Sequence, residues 1–142
     1  DGDTMVIGSY MDDDKNSGSG SAYVFTRNLD SSWTQRHKLS HINSEYFGAS
    51  VSIDGDTIVI GAPTSDDNRG TNTGSTYVFG RSSSGDITSS WSLVASLYAD
   101  DGAASDYFGQ SVSIDGDTLV IGAYGDGNDD GIDKHGSAYV FT

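Results

Sequence analysis

Residues 46–63 read YFGASVSIDGDTIVIGAP, and residues 107–124 read YFGQSVSIDGDTLVIGAY. Two stretches this alike in a chain of 142 residues make the period the first quantity to establish, because an overlooked repeat misassigns the whole fold. The tetrad Asp-Gly-Asp-Thr starts at Asp1, Asp54 and Asp115, at spacings of 53 and 61. The signature Gly-Ser-Ala/Thr-Tyr-Val-Phe starts at Gly20, Gly74 and Gly136, at spacings of 54 and 62, and Trp33 and Trp91 stand 58 apart. These markers keep step. The chain divides into three units: a partial one over 1–45, a complete one over 46–106 and a partial one over 107–142.

Each complete unit reads as four short strands. Over 50–53 the apolar residues alternate with serine, the period of a half-buried strand. Asp54-Gly55 supplies a tight hairpin, since glycine accepts positive φ at no steric cost. The return run over 57–60 is β-branched throughout and reads as a strand buried on both faces. A third strand is expected over 75–79 and a fourth over 91–97, with a polar loop between the second and third. No segment carries helical periodicity. Four antiparallel strands repeated at this period fit an all-β propeller, whose blades bury one another's faces. A β-helix needs a shorter period, and a sandwich has no reason to repeat its turns by sequence. The small residues Gly48, Ala49 and Ser50 suit an innermost strand, where blades crowd around the axis.

Composition narrows the class further. The chain is 35% hydrophobic with 19 glycines and one proline, enough for a core and rich in turns. It has no apolar run long enough to span a membrane, so no direct membrane insertion is expected. A net charge of −14 argues against nucleic acid as a partner, because phosphate binding needs a basic footprint. With no cysteine, disulfides and Cys-ligated metals are excluded.

Phe47-Gly48 followed by Gly61-Ala62-Pro63, and Phe108-Gly109 followed by Gly122-Ala123-Tyr124, resemble the FG-GAP repeat of integrin alpha-chain propellers. The first unit keeps the second half of the motif as Gly8-Ser9-Tyr10. The resemblance implies an extracellular or cell-surface module in a propeller usually of about seven blades. It also implies a calcium loop between the first and second strands. Here that connection has shrunk to Asp54-Gly55-Asp56 and Asp115-Gly116-Asp117, too short to surround a cation that takes six to eight oxygens. Asp56 and Asp117 are expected to cap or solvate the turn.

The acidic residues gather elsewhere. In an up-and-down blade, the loops joining strands two to three and four to one open on one face. Thirteen of the 21 carboxylates fall in those loops, against Lys15, Arg69 and Lys134, so that face carries −10 of the net −14. Such a field attracts cations and steers basic partners. The two-to-three loops also lengthen stepwise, with Gly2 to Gly20, Gly55 to Gly74 and Gly116 to Gly136 spanning 18, 19 and 20 positions. Length variation confined to one loop often marks a working face.

The third of these loops comes nearest to a calcium pattern. Asp126, Asn128 and Asp130 alternate, Gly131 follows, Ile132 offers a backbone carbonyl and Asp133 a further carboxylate, although no carboxylate stands at the twelfth place. The first loop keeps part of the alternation in Asp12, Asp14 and Asn16, and the second in Asp66 and Asn68. Two readings stand: Ca²⁺ held by these residues, or Asp, Asn and Gly serving as ordinary residues of long solvated turns. Asp13, Asp67, Asp129, Asp100, Asp101 and Asp106 complete the expected ligand-binding face.

No catalytic constellation emerges. His37, His41 and His135 do not recur with a nucleophile beside them, and Gly18-Ser19-Gly20 has no following lysine to make a phosphate loop. The tryptophans and the eight tyrosines could offer sugar-stacking platforms, but their recurrence in register points mainly to blade packing. The units present three, four and three strands, so further blades of a longer chain, or other copies exchanging strands, are expected to complete the ring. The function expected is a non-enzymatic adhesion or structural module presenting acidic loops to a protein or glycan. The rival is a propeller accessory or carbohydrate-binding domain of a larger secreted hydrolase.

Overall fold

The computed structural model describes residues 1–13, 17–42, 45–127 and 134–142. Among the described residues ten strands form three antiparallel sheets. The first holds β1 (Thr4–Ser9), β2 (Ser21–Arg27) and β3 (Trp33–Leu39); the second holds β4 (Ser50–Asp54), β5 (Thr57–Ala62), β6 (Ser75–Arg81) and β7 (Trp91–Leu97). The third holds β8 (Phe108–Asp115), β9 (Thr118–Ala123) and β10 (Ser137–Phe141). Each sheet runs in chain order, as blades of a propeller do. The repeat extends to irregularities: β2 and β3 slip register between Val24 and Phe25, and β6 and β7 slip between the equivalent Val78 and Phe79.

The blades are joined through alternate faces of their strands. Ile58, Ile60 and Ala62 point to the first blade, where they meet Val6, Ala22, Val24 and Leu39 together with Phe47, Tyr77, Phe79 and Trp91. A smaller cluster joins the second blade to the third through Leu97, Ala99, Phe108, Val112, Ile121, Ala123, Tyr139 and Phe141. The second strand is buried on both faces in the middle blade, where Ile58, Val59 and Ile60 are fully covered. In the outer blades it is not. Ile7 is 45% exposed on the face of β1 turned from the middle blade, and Val120, equivalent to Val59, is 42% exposed on β9. The same logic separates Trp91, buried, from Trp33, exposed.

Backbone approach at the blade junctions is very close. A methyl added at Gly61 would lie 1.9 Å from the carbonyl oxygen of Gly109, and one at Gly8 would lie 1.9 Å from that of Gly48. Polar bonds follow the same repeat. The Gly55 amide donates to Asp1 Oδ2 at 2.8 Å, and the Gly116 amide donates to Asp54 Oδ2 at 2.6 Å, so each Asp-Gly hairpin is pinned to the next. Ser50 Oγ donates to the Gly109 carbonyl at 2.7 Å, and the Ile114 amide donates to Ser52 Oγ at 3.2 Å. The serines alternating with apolar residues in β4 are therefore contacts between blades rather than a wet face.

Asp56 does more than finish its turn. It accepts from Arg81 Nε at 2.7 Å, from the Gly85 amide and from Ser84 Oγ, which closes the loop between the third and fourth strands. Arg81, with a side chain only 3% exposed, also lies 4.4 Å from the Trp91 ring centroid and reaches Thr4 Oγ1 of the first blade. Asp56 and Arg81 clamp the face opposite the acidic loops.

Candidate functional site

The two-to-three and four-to-one loops do share a face. The Tyr46 and Phe47 amides donate to the carbonyls of Gly18 and Ser19, and the Tyr107 and Phe108 amides donate to those of Asn72 and Thr73. Each first strand is thereby tied, at its entry, to the preceding blade's loop.

Within those loops, carboxylates brace the chain. Asp12, Ser65 and Asp126 stand four residues after Gly8, Gly61 and Gly122, and each gives its backbone carbonyl to the amide of Gly20, Gly74 or Gly136. The Asp12 and Asp126 side chains lie near the tyrosines of the signature strands. Asp12 accepts from Tyr23 Oη at 2.5 Å and pairs with Lys38 Nζ at 2.9 Å, while Asp126 accepts from Tyr139 Oη at 3.1 Å. Asp13 accepts from the Gly18 amide and Asp66 from the equivalent Asn72 amide, both at 2.7 Å. Turns of this length leave backbone donors that need such acceptors. The second loop has an anchor of its own: Asp67 bonds Arg69, whose guanidinium also reaches the Ala99 carbonyl and so ties this loop to the following four-to-one loop.

Of the remaining expected residues, Asp100 is exposed, and Asp101 accepts from Tyr139 Oη at 2.9 Å. Asp106 is buried and accepts from the Ala103 amide at 2.6 Å. Asn68 lines an open cavity of about 390 Å³ with His41, Asp66, Asp67, Arg69, Tyr77 and Tyr98. Asp14, Asn16, Asn128, Asp129, Asp130, Ile132 and Asp133 lie outside the described residues. Among the described residues no group of three His, Cys, Asp or Glu side chains is placed to hold a metal. His41 stacks on Tyr77 at 4.3 Å, and burial lowers its pKa.

The carboxylates titrate in two directions. The Tyr23 hydroxyl, then Lys38, holds Asp12 below the usual carboxylate range, and Arg69 does the same for Asp67. Burial pushes Asp106 up, with nearby Asp126 and Asp101 adding to the rise. Burial and the bond to Asp101 raise the Tyr139 hydroxyl. Groups with a lowered folded pKa stabilise above their unfolded value and lose that contribution as pH falls through the folded one. The melting temperature is therefore expected to fall as the pH drops below about 4, the ordinary carboxylate range. Asp106 has the opposite sign: its contribution is present at low pH and lost as pH rises through its folded pKa. The variant D106N, which keeps the acceptor for Ala103, should melt higher than the parent at pH 7, with the gap closing in acid. A parent as stable as D106N at pH 7 would refute the assignment.

The sequence reading did not anticipate a second hollow. Tyr10, Tyr46, Ala49, Pro63, Thr64, Tyr107, Gln110 and Tyr124 line an open cleft of about 460 Å³. The tyrosines expected as blade packing thus divide into two sets. Tyr77 is buried and Tyr139 half-buried against the cores, whereas Tyr10, Tyr46 and Tyr124 are exposed. The legible signal was position: these rings sit at loop entries beside the FG and GAP motifs, outside the strand alternation.

Comparison with known proteins accords with the architecture. The FG-GAP repeat family model matches residues 1–25, 33–79 and 91–141, segments that cover all or most of every strand of the three blades. No curated protein matches the chain. With the repeat, the blade topology and the family match covering most of its length, the chain belongs to the FG-GAP repeat family, whose repeats are propeller blades.

Proposed function

We propose that this protein is a non-enzymatic adhesion or structural module of the extracellular space or cell surface, binding its partner on the loop face. FG-GAP repeats form propeller-type binding modules. The observation that supports this assignment is the convergence of acidic two-to-three and four-to-one loops, tied across blades by backbone bonds. Their braced carboxylates give a fixed negative field rather than mobile charges. No helix among the described residues is long and apolar enough to cross a membrane.

The exposed Asp100 and Glu45 serve the partner, while Asp12, Asp13 and Asp66 hold the loops. The double variant Glu45→Gln, Asp100→Asn of the full-length protein is expected to slow association with a polylysine peptide and flatten its salt dependence, as loss of steering requires. Surface biotinylation of intact cells is expected to label the protein. Unchanged association kinetics or an exclusively cytosolic location would overturn the proposal. Calcium enters as a ligand of the third loop, on the sequence alternation from Asp126 onward. A chelator-reversible rise in melting temperature supports it by mass action, and no shift in millimolar calcium overturns it. The open face of β8, β9 and β10 takes a further blade or a second copy.

A further inference from the structure

The tyrosine cleft carries an inference that rests on the binding-module assignment but names a different surface and ligand. Tyr10 and Tyr46 pack edge to face with centroids 5.4 Å apart, and Tyr107 and Tyr124 stack at 5.0 Å with 13° between their planes. Tyr46 and Tyr107 hold positive φ, at 55° and 58°, fixed by their amide bonds to the preceding loop. A bulky residue in the left-handed region is uncommon, and its repetition sets a tyrosine at both blade entries, where the two rings pair differently. Between the pairs lie Pro63, Ala49, Thr64 and the exposed Gln110.

Among the described residues the lining contains no ionised side chain. Asp12 and Asp126 are turned to Tyr23 and Tyr139, and a cation beside the cleft is already placed: Lys134 Nζ bonds the Ser105 carbonyl at 2.9 Å and sits 5.6 Å from the Tyr107 centroid. A second cation over that ring would meet repulsion and the surrounding acidic loops oppose an anion, so a neutral ligand fits best. None of the four lining phenols makes a hydrogen bond within the described residues, and the Gln110 amide adds a donor and an acceptor. Because each ring pair is packed on itself, it offers an outer ring face rather than a slot between parallel rings into which a proline could insert.

We propose that the cleft binds a neutral glycan, with the apolar face of a pyranose against Tyr124 or Tyr10 and its hydroxyls bonded to the free phenols and Gln110. Amphipathic rings with one apolar face and a polar tip suit such a ligand. Pro63 makes room for it. At the equivalent positions, Tyr10 and Tyr124, a ring stands instead, so Pro63→Tyr should fill the cleft between the two platforms.

The test is a titration of the full-length protein with cellohexaose, chitohexaose, mannohexaose and a decaproline peptide, read by calorimetry and tyrosine fluorescence. Binding of at least one of the three sugars is expected, weakened roughly tenfold or more by Tyr124→Ala or Pro63→Tyr and insensitive to salt. Glu45→Gln, Asp100→Asn should leave it unchanged. No sugar binding at millimolar concentration, binding that survives both cleft variants, or binding of decaproline alone would overturn the proposal. Failure here with polylysine association still dependent on Glu45 and Asp100 would remove the glycan site and leave the binding-module assignment standing.

Discussion

Gly61→Ala is expected to destabilise the protein by about 3 kcal/mol or more, lowering its melting temperature by roughly 10 °C. The added methyl would lie 1.9 Å from the Gly109 carbonyl oxygen, and also 2.3 Å from Ser50 Oγ. The serine could rotate, but the carbonyl belongs to the innermost strand of the next blade, so relief requires the two blades to part. Parting them would break the Ser50 Oγ bond to the Gly109 carbonyl and uncover Val59. Gly122 is the internal control. It is the equivalent glycine of the third blade, and a methyl there meets only Ser111 within its own sheet. Gly122→Ala should therefore cost much less wherever that face stays open. If a further blade docks on β9, its cost should rise toward that of Gly61→Ala, so the pair of melting curves also reads whether the open face is covered in the full-length protein. Equal and small losses at both sites would refute the packing account.

How much of this was legible in the sequence depends on which force fixed each feature. Strand positions were legible because they follow from local alternation: the serine alternation over 50–53 and the β-branched run over 57–60 became β4 and β5, each slightly longer. The tight Asp54-Gly55 turn was legible because its chemistry is local. Burial on both faces was legible only for the middle blade, since Val59 and Val120 occupy the same place in the repeat and differ only in whether a neighbour covers them. What local pattern could not reveal were bonds between blades. Asp54 looks like a hairpin residue, yet its carboxylate serves Gly116, 62 positions away. Likewise Asp56, read as capping or solvating its turn, is paired with Arg81, whose partner Trp91 is placed by the fourth strand. The roles of Asp13 and Asp66 as braces depend on loop closure that only three-dimensional spacing discloses.

Phe108→Ala should destabilise by about 3–5 kcal/mol, as expected for a fully buried aromatic truncated in a core that can relax only in part. The loss should be local. Phe108 contacts the Tyr139 and Phe141 rings edge to face, at 5.3 and 6.2 Å, and lies in the smaller cluster with Ala99, Ile121 and Ala123. Phe47, its counterpart one unit earlier, lies in the larger cluster with Ile58, Ile60, Tyr77, Phe79 and Trp91. In a repeat array each unit is held chiefly by its nearest neighbours, so weakening the smaller junction should release the third blade before the others open. Amide hydrogen exchange is expected to show lost protection across β8, β9 and β10, with β5 and β6 retaining theirs. The backbone bond from the Phe108 amide to the Thr73 carbonyl survives the truncation, so the strand remains attached at its entry while its sheet frays. Phe47→Ala should instead lower protection in the first and second blades together. A uniform loss of protection in both variants would mean that the two clusters act as one cooperative core, and the nearest-neighbour account would fail.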